Sequence, residues 1–109
     1  MRKLIISCDD FGVSKETNVA IIQCLKFKKA TSASILSNGD FFFHGAEIIK
    51  KNIKNNYFGV HLNLTEGKAL TQSKQLTDKR NIFKHGPEYF FFLQTLNQYQ
   101  KIEDDIYYE

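Results

Sequence analysis

Near its start the chain reads KLIISCDDFGVS, an apolar run from Leu4 to Cys8 that ends in two adjacent carboxylates, Asp9 and Asp10. Like charges side by side at the end of a buried segment cost free energy unless something compensates them. A fold that accepts this stretch must place the run in a core and still deliver both acids to solvent, to a turn or to a cation. The run itself, Lys3–Cys8, reads as a strand buried on both faces, the pattern of a parallel sheet.

The rest of the chain fits such a sheet. Ser14 is placed to cap a helix, with Glu16 in its first turn and Ile21, Cys24 and Leu25 on one face. Thr31–Leu36 reads as a second strand. SNGD then makes a turn with Asp40 as N-cap, and Phe42, Ala46, Ile49 and Ile53 follow at helical spacing. Tyr57–Leu64, YFGVHLNL, is a third strand, with Phe58, Val60, Leu62 and Leu64 on one face and Gly59, His61 and Asn63 on the other. Thr65–Asn81 reads as a long polar loop of the kind that often carries function. Gly86 and Pro87 open a further helix with Tyr89, Phe92, Leu93 and Leu96 on its apolar face, and Lys101–Glu109 begins another. The succession βαβαβ predicts an α/β fold of parallel (β/α) units. At 109 residues the chain suffices for one small domain, 1–109.

Composition narrows the function classes. With 42% hydrophobic and 25% charged residues the chain is globular rather than disordered. The formal charge of +3 is scattered, so no nucleic-acid surface is expected, and KFKK at Lys26–Lys29 reads as the solvated end of a helix. No apolar run approaches the ~20 residues of a membrane span. The amino terminus reaches acid too soon for a signal peptide. Cys8 and Cys24 lack a CxxC spacing and read as reduced, buried thiols, which together points to a cytoplasmic protein.

Parallel α/β folds bind ligands where the strands deliver their carboxyl ends. Asp9 and Asp10 are expected just past the first strand and His61 near the end of the third, where a divalent cation between them would neutralise the paired acids. The same residues have plainer readings: either Asp capping the following turn, and His61 as a core histidine bonded to a carbonyl. His44, within a helix, and His85, beside a Gly-Pro turn, read as structural. A receiver-like phosphoacceptor domain also pairs acids after its first strand. It requires an Asp at the end of the third, and YFGVHLNL has none.

Taken together, LIISCDDFGVSKETNVAII, TSASILSNGDFF, FGVHLNLTEGKAL and LTDKRNIF resemble the YdjC-like carbohydrate deacetylases, which include chitin disaccharide deacetylases. Asn18 stands where that family has an Asn after its DDFG. The resemblance implies the N-terminal part of a (β/α)-barrel-like fold and a metal-dependent hydrolase that removes acetyl groups from N-acetylated oligosaccharides. It implies Asp10 and His61 as metal ligands, Asp9 as general base, and magnesium as the cation, with zinc as the alternative on ligand grounds.

The family's chains are longer and draw a further metal-ligating histidine from a later segment, which this sequence does not reach. Two protein ligands and an incomplete barrel are therefore expected, with this chain either part of a deacetylase or a non-catalytic carbohydrate-binding or assembly fragment. A sheet that stops after three strands exposes an edge and an apolar face, so self-association into a homo-oligomer is expected too.

Overall fold

The computed structural model describes residues 3–52 and 57–95. Its elements run β1 (Ser7–Phe11), α1 (Lys15–Lys26), β2 (Ser32–Ile35), α2 (Phe42–Asn52), β3 (Tyr57–Val60) and α3 (Pro87–Thr95). The strands form one open parallel sheet in the order β1-β2-β3, so the α/β expectation holds. Ile53, Leu96 and the segment Lys101–Glu109 lie outside the described residues. No described helix is long and apolar enough to cross a membrane. The chain divides into two compact units, Met1–Leu62 and Asn63–Glu109.

In the first unit the helix α1 begins as its sequence requires. Ser14 is extended, and its hydroxyl accepts from the Thr17 N–H at 3.0 Å. The helix ends at Phe27, with Lys28 left-handed at φ 56° and the Lys29 N–H returning to the Cys24 carbonyl at 2.8 Å. Ile21, Ile22 and Leu25 of α1 meet Phe11, Ala30 and Ala33 in a buried cluster, joined by Ile48 and Ile49 of α2 and by Phe58. Ala33, between Cys8 and Phe58 in register, is small enough to let the Phe11 and Phe58 rings approach to 6.0 Å.

β1 differs from its expected position. Pairing begins at Ser7 opposite Ser32, both acids lie inside the strand, and Leu4 and Ile5 are 76% and 80% exposed rather than buried. The register is set by polar backbone partners. Ile6 gives its N–H to the Thr31 hydroxyl at 2.9 Å, and its carbonyl accepts from the Thr31 N–H at 2.8 Å. Apolar character alone could not place the strand, because these residues line no core in this unit. β3 likewise stops at Val60 rather than Leu64, and Val60 and Leu62 are exposed. α2 starts at Phe42, with the Gly45 N–H bonded to the Phe41 carbonyl at 3.0 Å. Phe41 and not Asp40 therefore holds the N-cap position.

One side chain ties these elements together. Asn18, 0% exposed, accepts the Gly12 N–H at 2.7 Å, donates to the Phe41 carbonyl at 3.1 Å and contacts Nδ1 of His44 at 3.2 Å. The turn after β1 is thereby bonded to the start of α2. Close packing makes this possible: a Cβ on Gly45 would stand 2.4 Å from the Phe11 ring and 3.1 Å from the Asn18 amide nitrogen.

The second unit has its own small core of Ala69, Leu76 and Phe83, against which Leu64, Tyr89 and Phe90 pack. The long segment expected as a loop is thus folded, though nearly without regular structure. Its turns are built by side chains. Ser73 accepts from the Leu76 N–H at 2.9 Å, and Asp78 accepts from the N–H groups of Arg80 at 2.8 Å and Ile82 at 3.0 Å. The Ile82 N–H, followed by the Arg80 groups, holds the Asp78 carboxyl below the usual carboxylate range.

Two outcomes are expected. Asn18→Ala leaves the Gly12 N–H buried without a partner and takes one of two donors from the Phe41 carbonyl, and it should lower stability by about 1–3 kcal/mol in urea unfolding. Asp78 has a depressed folded pKa, so its contribution is present above the ordinary carboxylate pKa and lost as pH falls through the lower folded value. Amide exchange at Arg80 and Ile82, corrected for intrinsic rates, should accelerate only in that acid window, and Asp78→Ala should show the fast rates at neutral pH.

Candidate functional site

The paired acids find their place through an irregularity in β1. Cys8 pairs with Ala33 and Phe11 with Ile35, so three positions on β1 span two on β2 and the register shifts between them. Strict alternation from Cys8 would turn Asp10 toward the helices and Phe11 away from them. The extra residue corrects this: Asp9 meets the Ser34 hydroxyl, Asp10 adopts φ 65°, and Phe11 returns to the core. The left-handed conformation costs ~1–2 kcal/mol in a residue with a Cβ. Burying Phe11 contributes ~1.5–3 kcal/mol, so the trade favours the bulge. Both carboxylates consequently reach the face of the sheet away from the helices. There a Cβ on Gly59 would meet nothing within 4 Å.

Asp9 and Asp10 are held differently. The Ser34 hydroxyl donates to Oδ1 of Asp9 at 2.7 Å, a short bond to a charged acceptor. His61 follows β3, and its N–H continues the ladder to the Ile35 carbonyl at 2.8 Å. Its ring nitrogen Nδ1 lies 3.4 Å from both the backbone N and Oδ1 of Asp10. That nitrogen serves one partner at a time. Unprotonated it accepts the Asp10 N–H, and protonated it donates to the carboxylate. Both contacts are long and the side chains are partly exposed, 60% for Asp10 and 32% for His61, so the pair contributes little to stability.

Of the residues singled out in the sequence, the fold brings Asp10 and His61 together across 51 positions and sets Asp9 beside them in β1. One carboxylate and one imidazole form a mixed O/N pair that suits a divalent cation of borderline hardness. Among the described residues no third His, Cys, Asp or Glu completes a cluster of three. His44 instead packs on Asn18, and His85 stacks on Tyr89 with ring centroids 3.7 Å apart.

Ser34 escaped the sequence reading. Its signal was the alternation of TSASI, which puts Ser32 and Ser34 on the side opposite Ala33 and Ile35. Asn18 was visible only as a motif match, and its role as a buried tie required the structure. Cys8 and Cys24 were treated as separate thiols. Both are free and half-buried in the fold, and burial followed by the neighbouring Cys24 pushes the Cys8 thiol up.

The strain at Asp10 makes a separable prediction. Asp10→Gly removes the carboxylate and relieves the left-handed conformation, whereas Asp10→Ala removes the carboxylate and keeps the strain. The Gly variant should therefore be more stable than the Ala variant by about 1 kcal/mol in urea unfolding. Equal stabilities would mean that the bulge does not exist in solution.

The family described as YdjC-like protein matches residues 3–109. A carbohydrate deacetylase of Thermoanaerobacter pseudethanolicus is 33% identical over 79% of this chain and 35% of its own length. Another, of Clostridium beijerinckii, is 37% identical over 74% of this chain and 33% of its own. A chitooligosaccharide deacetylase of Citrobacter koseri is 38% identical over 70% of this chain and 30% of its own. The chain spans about a third of the length of these relatives. By this match over nearly every residue, the chain belongs to the YdjC-like protein family.

Proposed function

We propose that the chain carries the acid–imidazole part of a metal-dependent hydrolase that removes acetyl groups from N-acetylated carbohydrates, chitooligosaccharides among them. The observation that carries this reading is Asp10, strained at φ 65° on an open sheet face with its carboxylate 3.4 Å from His61. Strain kept in an exposed residue that does little for stability is what a functional position looks like. The names of the relatives supply the substrate class.

In this reading Asp10 and His61 hold the cation, magnesium by family resemblance or zinc by donor type. When bound, a divalent cation polarises an amide carbonyl and acidifies a coordinated water. Asp9 is the general base. The bond from Ser34 to Oδ1 orients its carboxylate, and its second oxygen is assigned to the proton released as water attacks the acyl carbon. The departing sugar amine needs a proton, and Asp9 carries one at that stage. The open face at Gly59 leaves room for a sugar beside these groups.

A second reading, a carbohydrate-binding or assembly piece without turnover, is favoured by the two-donor set found among the described residues. Calorimetric titration with zinc and, separately, magnesium separates the parts of the proposal. Saturable binding should disappear in Asp10→Ala and in His61→Ala, and binding indifferent to His61 would overturn the ligand assignment. Acetate release from N-acetylated chitooligosaccharides should fall ~10²–10⁴-fold in Asp9→Asn with metal affinity kept. Metal binding without any acetate release from the parent chain would favour the second reading.

A further inference from the structure

We propose that the end of the first unit where the strands begin is a docking surface for an anionic membrane. The inference is independent of the deacetylase reading, because it concerns the end of the sheet opposite Asp9, Asp10 and His61. Parallel strands joined by helices bring three chain segments to that end. Lys3–Ile5 lead into β1, and Ile6 is bonded there to Thr31. Phe27–Lys29 follow the last turn of α1 and lead into β2, while Lys50 and Lys51 lie in the last turn of α2, ahead of β3. Lys3, Lys28, Lys29, Lys50 and Lys51 are all exposed, and among the described residues these three segments hold no Asp or Glu. Acids collect at the other end: Asp9 and Asp10 in β1, Glu16 in the first turn of α1, and Asp40 ahead of α2. The unit is therefore polarised, basic where its strands begin and acidic where they end.

Charge alone would suit any polyanion, and the apolar side chains favour lipid. Phe27 is 73% exposed at the end of α1, and Leu4 and Ile5 protrude beside Lys3. Cations near a helix C-terminus satisfy the helix dipole, which accounts for Lys28 and Lys29 but not for an exposed aromatic ring between lysines. Aromatic and aliphatic side chains set among lysines match the two layers of a membrane interface. Lipid phosphates take the ammonium groups, and the boundary of the acyl chains takes the ring and the branched side chains. The long lysine stems lie along apolar surface while their charged heads stay at the phosphates. Docking by this end leaves Asp9, Asp10 and His61 on the side away from the lipid.

The test is sedimentation of the full chain with vesicles of phosphatidylcholine alone and of phosphatidylcholine mixed with phosphatidylglycerol, at low and at high salt. The chain should pellet with the mixed vesicles only, and less so at high salt. Lys28→Glu should weaken that binding by about tenfold or more. Phe27→Ser should weaken it with the charge unchanged. Lys15→Glu makes the same charge change at the acidic end and should bind as the parent does. All three positions are exposed, so each variant should keep the parent's circular dichroism spectrum. No sedimentation with the mixed vesicles would overturn the proposal. Equal losses in Lys15→Glu and Lys28→Glu would do the same, since net charge and not this face would then decide. So would equal retention on poly-glutamate with no effect of Phe27→Ser, which would assign the face to an acidic protein.

Discussion

The carboxamide of Asn18 is the contact on which the first unit turns. It is fully buried, and its oxygen and nitrogen reach Gly12, Phe41 and His44. A buried amide is tolerated only when its donors and acceptor are met, and here the partners come from separate stretches of chain. The Phe41 N–H also donates to the Gly12 carbonyl at 2.9 Å, so the turn after β1 and the approach to α2 are bonded directly as well. Phe11 is held between this tie and the helices. The position of β1 at its carboxyl end is therefore over-determined.

That over-determination lets β1 keep its extra residue. A bulge with a left-handed aspartate costs free energy locally, and it persists because Phe11 on one side and Ser34 on the other fix what flanks it. The result is two adjacent carboxylates in different situations. Asp9 is oriented by a neighbouring strand, and Asp10 is turned out beside His61. The two charges share one open face without sharing one set of partners. A polypeptide with regular alternation would have had to bury one of them.

The second unit solves a different problem by similar means. Its segment between Asn63 and Phe83 has few regular elements, yet Ala69, Leu76 and Phe83 are buried because side chains substitute for missing ladder bonds. Asn63 accepts from the N–H groups of Thr65 and Glu66 at 3.1 and 3.0 Å, and Asp78 closes a second turn. Such side-chain turns are the reason Asn, Asp, Ser and Thr are frequent here.

Local signals were legible wherever local physics decides. The cap at Ser14, the proline that opens α3 and the βαβαβ order were readable because propensity, capping and chain topology act over a few residues or follow general rules. The motifs also marked Asp9, Asp10 and His61. What the sequence did not determine was register. The apolar run Leu4–Ile6 looked more like a strand than SCDDF, yet hydrogen bonds from Thr31 and the burial of Phe11 placed the strand on the acids. Ser34 and Asn18 depend on partners 6 to 26 positions away, and a strand's pairing offset decides which of them meet. A shift of one residue moves every side chain to the other face, so only the packed structure could settle which face holds the carboxylates.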